Sequence, residues 1–169
     1  QIDFVLELFK LAKKEGINTC IDTSGGCFTR EEPFFSKFNE LMEYTDLLLV
    51  DIKEINNERH KTLTGRSNEY ILDMARYLSE IDKPIWIRHV LVPKRSDYDE
   101  DLIELDRFIS TLSNVYRVEI LPYHTLGVFK WEELKIPYQL EGIKPPTKER
   151  IDNAKRLLHV DRYTRYLDN

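Results

Sequence analysis

LLLVDIK, residues 47–53, is the stretch on which the fold turns. Its nearly continuous apolar run suits a strand buried on both faces of a parallel sheet. It closes on two groups capable of chemistry, Asp51 and Lys53. Working outward, the same form recurs three times. INTCIDT (17–23) ends at Asp22 and Thr23, IWIRHVLV (85–92) carries Arg88 and His89, and VEILPYH (118–124) ends at His124. The third strand is expected from about Pro84 to Val92 and the fourth from Val118 to Tyr123. Helical spacing fills the gaps: Phe4, Val5, Leu8, Phe9 and Ala12 before Gly16; then Phe34, Phe35, Phe38, Leu41 and Met42; then Tyr70, Ile71, Met74, Ala75, Leu78 and Ile81. Leu102, Leu105, Ile109 and Leu112 mark another helix, and Pro145-Pro146-Thr147 introduces a last one with Ile151, Ala154, Leu157 and Leu158. A short helix is expected from Asn57 to Leu63, before Gly65. Thr29 and Glu32 read as a capping box, with Pro33 close behind.

Strands begin roughly 30–37 residues apart, the length of one βα unit. The fold class is therefore α/β, a partial (β/α) barrel. Four units do not close a barrel of about eight. In βα repeats the C-terminal ends of the strands form the rim that holds the active site, and here each of those ends carries a polar residue. The barrel portion is expected over residues 1–160, with 161–169 a polar, loosely held tail. The segment Thr125–Pro146 has little periodicity, and loops of that length are usually functional or disordered. The chain starts at Gln1 without Met and enters a helix at once, which reads as a truncated or processed front.

Of the 169 residues 41% are apolar, enough for a folded domain with a sizeable core. The net charge of -5 argues against general nucleic-acid binding. No apolar run approaches the roughly 20 residues needed to cross a bilayer, and no secretory signal is visible. Cys20 and Cys27 make no disulfide framework, which points to a reducing cytoplasm.

The rim residues each have two readings. Asp22 and Asp51 sit at equivalent ends of neighbouring strands, where two carboxylates repel unless a cation, a lysine or a proton intervenes; alternatively each caps the turn after it. Lys53 shares a strand face with Asp51 and neutralises it, holds a ligand carboxylate, or is simply solvated. Arg88, in an apolar run, needs a bound anion or a neighbouring acid. His89 faces the other way and reads as packed or surface. His124 is placed for ligand contact or proton transfer, and His60 and His159 read as structural. Cys20 and Cys27, seven apart, match no zinc or cluster spacing, and Cys20 reads as core. Asp97 to Asp101 read as a solvated helix N-terminus.

Taken together, INTCIDTSG, YTDLLLVDIK, KPIWIRHVLVP, VEILPYHTLG and KPPTKE, in that order, resemble the glycyl-radical-enzyme-activating group of radical S-adenosylmethionine (SAM) enzymes. The resemblance runs from about residue 4 to about residue 158. It implies a partial barrel of about six βα units, of which this chain would hold the last four. It implies SAM and a [4Fe-4S] cluster as cofactors, but the Cys-x3-Cys-x2-Cys cluster motif and the Gly-Gly-Glu strand of the family do not occur in these residues. On the same ground Asp22, Thr23, Leu49 and Asp51 match positions holding a monovalent cation beside SAM. Asp51, Ile52, Lys53 and His124 match SAM-contacting positions, and Arg88 one facing SAM or the substrate peptide. The implied chemistry is reductive cleavage of SAM to a 5′-deoxyadenosyl radical, which takes hydrogen from a glycine Cα of the partner. That partner would be a glycyl radical enzyme, pyruvate formate-lyase foremost, in anaerobic metabolism, with a flavodoxin or ferredoxin as electron donor. The segment after His124 would help receive it. The departures are Thr125 where the family commonly has Glu, Lys94 where Gly is common, and the unmatched tail Arg162–Tyr166.

Without a cluster motif, these 169 residues alone are expected to be inactive and to self-associate through an exposed sheet edge. Two other classes fit the rim taken alone: a divalent-metal βα-barrel hydrolase or lyase using Asp22 and Asp51, and a non-catalytic scaffold docking a partner through 125–146.

Overall fold

A computed structural model describes residues 1–167. Its centre is a four-stranded, wholly parallel sheet in sequential order, β1 (Cys20–Thr23), β2 (Leu47–Asp51), β3 (Ile85–Leu91) and β4 (Val115–Pro122). The sheet is open. Its connections carry α1 (Ile2–Lys14), α2 (Phe34–Glu43), α3 (Asn57–Thr64), α4 (Glu69–Glu80), α5 (Asp99–Ile109), the short α6 (Val128–Glu133) and α7 (Lys148–Leu157).

Burial alternates along the strands, and this changes the reading of the segment 47–53. Leu48, Val50 and Ile52 are buried with Ile85, Ile87, Leu91, Val118 and Ile120. Leu47, Leu49 and Asp51 are only half-buried. An unbroken apolar run suggested cover on both faces; here one face lies in the core and the other stays half-open. Cys20, expected in the core, is exposed for the same reason, since β1 is an edge strand and Cys20 shares the open face with Asp22.

Local chemistry sets the element ends. Asn56 caps α3 by accepting the Glu58 and Arg59 amides, and Gly65 ends it at φ 78, in the left-handed region that glycine enters freely. Thr147 caps α7 through the Arg150 amide. The capping box at Thr29 and Glu32 does not form. A helix begun at Thr29 would need an amide from residue 33 in its first turn, and Pro33 has none. Instead α2 starts at Phe34, Thr29 accepts the Glu31 amide, and Glu32 accepts the Ser36 amide. The first strand is shorter than expected, because Thr19 turns to Asp46 and Tyr44 before the ladder starts. The fourth strand begins earlier, at Val115.

The loop after β1 presses closely onto α4. A Cβ at Gly25 would lie 2.6 Å from Met74 Cε, at a φ of +66. Just beyond, Phe28 is buried among Phe34, Phe35, Phe38 and Tyr77, with ring centroids 5.2–6.4 Å away. As far as residue 167 the tail makes contacts with the sheet. Tyr166 meets Trp86 edge to face, and Arg117 lies between those two rings at 4.9 and 4.7 Å. Arg165 stacks on Tyr116 and donates to the Ser113 carbonyl.

Candidate functional site

Strand register decides which rim residues meet. Asp22 pairs with Leu49, and Asp51 pairs with Arg88. The two carboxylates are thus not level: Asp51 sits two residues further along its strand, on the same face as Asp22. Arg88 spans the offset. Its Nε donates to Asp51 Oδ1 at 2.8 Å and its Nη2 to Asp22 Oδ1. Lys53 Nζ donates to the other Asp51 oxygen at 2.6 Å. Both oxygens of Asp51, a side chain only 15% exposed, are therefore matched by cations. Burial works against the Arg88 charge, but the hydrogen bonds and charges of Asp22 and Asp51 outweigh it and hold its pKa above the ordinary value.

The repulsion expected between the two aspartates is thus answered by Arg88 and Lys53. Thr23 turns its hydroxyl to the Gly25 amide at 2.9 Å, and Leu49 has only backbone oxygen to offer a cation. Among the described residues no three His, Cys, Asp or Glu side chains come together as a metal-ligating group. That leaves the divalent-metal reading without a donor set. Cys20 and Cys27, a strand and a loop residue, do not supply the cysteine set of a [4Fe-4S] cluster. The rim does fit a zwitterionic ligand: Asp22 and Lys53 are partly exposed, opposite in charge, and already held in one network.

His124 is exposed two residues past the end of β4. It follows Tyr123, whose amide bonds the Leu91 carbonyl and whose hydroxyl meets the Tyr138 hydroxyl at 2.6 Å. That contact draws the 125–146 segment against the rim. His89 is fully packed beneath it, its ring nitrogens 2.9 and 2.7 Å from the Ile52 and Ser96 carbonyls. His60 is buried beside the Arg66 carbonyl, and His159 pairs with Asp106.

The sequence gives no warning of two buried acids. Glu54, next after Lys53, is 1% exposed, with Oε1 accepting the Asn56 amide and Oε2 without a hydrogen-bond partner among the described residues. Burial pushes its pKa up to about 7. Asp101 was expected to be solvated but is buried and paired with Arg59.

Residues 1–109 match the family model described as the radical SAM superfamily. The chain is 57% identical over 166 residues to the pyruvate formate-lyase-activating enzyme of Streptococcus mutans, covering 98% of this chain and 63% of that one. It is 52% identical to the enzyme of the same name from Listeria monocytogenes, covering 96% and 66%. The chain thus spans less than two thirds of the length of these curated relatives. Among solved structures, a domain of pyruvate-formate lyase-activating enzyme from Bacteroides vulgatus has a TM-score of 0.76 at 21% identity, covering 96% of this chain and 88% of that one. Coproporphyrinogen III oxidase from Escherichia coli has a TM-score of 0.61 at 14% identity, covering 92% and 35%. At these identities the structures speak for the fold, an α/β partial barrel.

Proposed function

The chain belongs to the radical SAM superfamily, and from that premise we propose that it forms the SAM-holding part of an activase that places a glycyl radical on pyruvate formate-lyase. The observation that carries the reading is the Asp22–Arg88–Asp51–Lys53 network at the strand ends. Its support is the name shared by relatives at 52–57% identity.

In such an enzyme SAM, beside a reduced [4Fe-4S] cluster, supplies the 5′-deoxyadenosyl radical that removes hydrogen from a glycine Cα. This chain's part is positioning. Lys53 and Asp51 would hold opposite charges or hydroxyls of SAM, aided by the Ile52 backbone, and His124 would close on it from the end of β4. Arg88 orients Asp51 through the Nε–Oδ1 hydrogen bond and would face SAM or the peptide. A monovalent cation held by Asp22, Asp51 and the backbone of Thr23 and Leu49 would take over the charge that Arg88 supplies, so cation binding and the Arg88 bridge alternate. The cluster is not held by Cys20 and Cys27. No helix among the described residues is long and apolar enough to cross a membrane. A cytoplasmic setting with a flavodoxin or ferredoxin as reductant completes the proposal.

The test is an exchange. This chain replaces the matching segment of the Streptococcus mutans relative, and the chimera is assayed anaerobically for 5′-deoxyadenosine and, by electron paramagnetic resonance, for a glycyl radical on pyruvate formate-lyase. Both products should form, and Asp51→Ala should lower their rate at least about 100-fold, the scale of losing a positioning group. A folded chimera that cleaves no SAM would sink the proposal.

A further inference from the structure

A groove of about 570 Å³ opens between α3, the loop after β3 and the 125–146 segment. All three follow strand C-termini, so the groove shares the rim with Lys53 and His124. Its lining holds three cations, Arg59, Lys94 and Arg95, and, among the described residues, no carboxylate. This is in a chain with Asp+Glu 30 against Lys+Arg 25. Arg59 is already balanced by Glu100 and Asp101 and lies 4.2 Å over the Tyr98 ring. Lys94 and Arg95 are exposed, and among the described residues neither forms an ion pair. The nearest acid in sequence, Asp97, is engaged by the Lys94 amide and by Arg150.

The other wall is aromatic. Trp131, 39% exposed, meets Tyr138 at 5.6 Å between centroids. The element carrying Trp131, α6, buries no side chain, and Leu126, Phe129, Leu134 and Ile136 around it are all exposed. A run of exposed apolar side chains beside a groove marks a surface made for contact. Trp, Tyr and Arg are the residues that anchor protein interfaces. The volume far exceeds a single inorganic anion and lies in the range of ligand clefts.

We propose that this groove docks an acidic, apolar-bearing segment of a partner protein, with carboxylates on Lys94 and Arg95 and an apolar side chain against Trp131 and Tyr98. The proposal deepens the partner half of the reading above. Unpaired cations on an otherwise acidic chain give the encounter its sign, and the aromatic wall gives it affinity.

The probe is a short fluorescein-labelled peptide alternating Glu with Leu and Phe, titrated into the 169-residue chain and followed by anisotropy. A second peptide carries Lys in place of Glu. The acidic peptide should bind saturably and weaken with salt, and the basic one should not bind. K94E/R95E and W131A should each lower affinity about tenfold or more, with unchanged circular dichroism. No binding of the acidic peptide, equal binding of the basic one, or indifference to K94E/R95E would each overturn the docking site. Purified pyruvate formate-lyase is then added as competitor. Displacement supports both proposals. Binding of the peptide without displacement keeps the groove and removes pyruvate formate-lyase as its occupant. An active chimera with no peptide binding keeps the activase and removes the groove.

Discussion

Arg88 serves two carboxylates on different strands through two separate nitrogens, Nε and Nη2, of one planar fork. Arg88→Lys offers one point charge in place of two spaced nitrogens and cannot reproduce that geometry. It should cost about 1–2 kcal/mol in urea unfolding, and Arg88→Ala more, because Asp51 then keeps only Lys53. Equal stability of Arg88→Lys and the parent would show that the bridge is not formed. Glu54 gives a pH prediction with the opposite sign from a salt-bridged acid. Its carboxyl titrates near ~4.3 when unfolded and at about 7 when folded. Between these values the folded chain binds more protons, so stability falls as pH rises from ~4.3 towards 7 and stays lowered above it. Glu54→Gln should remove that slope and gain roughly 2 kcal/mol near pH 8, less than the full linkage because a buried amide group remains unpaired. Matching urea midpoints for the two proteins at both ends of this range would contradict it. Arg88 was legible in sequence because a charge in an apolar run demands a partner. Glu54 was not, since an acid in a turn usually lies in water.

Helices and strands were legible where periodicity was long, and less so at their ends. The end of α3 announced itself through Gly65 and the start of α7 through Thr147, whereas the Asn56 cap emerges only in the structure. The Thr29–Glu32 box failed because a proline amide is missing where the pattern needs one, which the spacing rule alone does not weigh. The offset of Asp22 from Asp51 was hidden altogether, because strand register depends on packing that no single strand encodes. Asn56→Ala should cost about 1 kcal/mol, read by thermal unfolding, since two amides lose their acceptor. The 125–146 segment, poor in periodicity, is tied to β4 by the Tyr123–Tyr138 contact. Tyr138→Phe should leave the circular dichroism unchanged and speed limited proteolysis within that segment several-fold. Cleavage at the parent rate would mean that the contact does not hold it.

Across the whole molecule, the two sheet edges differ. β4 is flanked by the turns at Val160–Arg162 and Arg165–Leu167, while among the described residues β1 pairs only with β2. A bare parallel edge beside exposed Phe4, Leu8 and Leu11 favours pairing between copies. Sedimentation should show concentration-dependent association, reduced in Cys20→Lys, which puts a charge on that edge. One species at every concentration would refute this. Sequential strand order has a further consequence. Among the described residues, β2, β3 and β4 each find the preceding strand already made as they leave the ribosome. Assembly of these four strands can therefore run in the direction of synthesis, one rung at a time, with the turn that carries Tyr166 then meeting Trp86 edge to face.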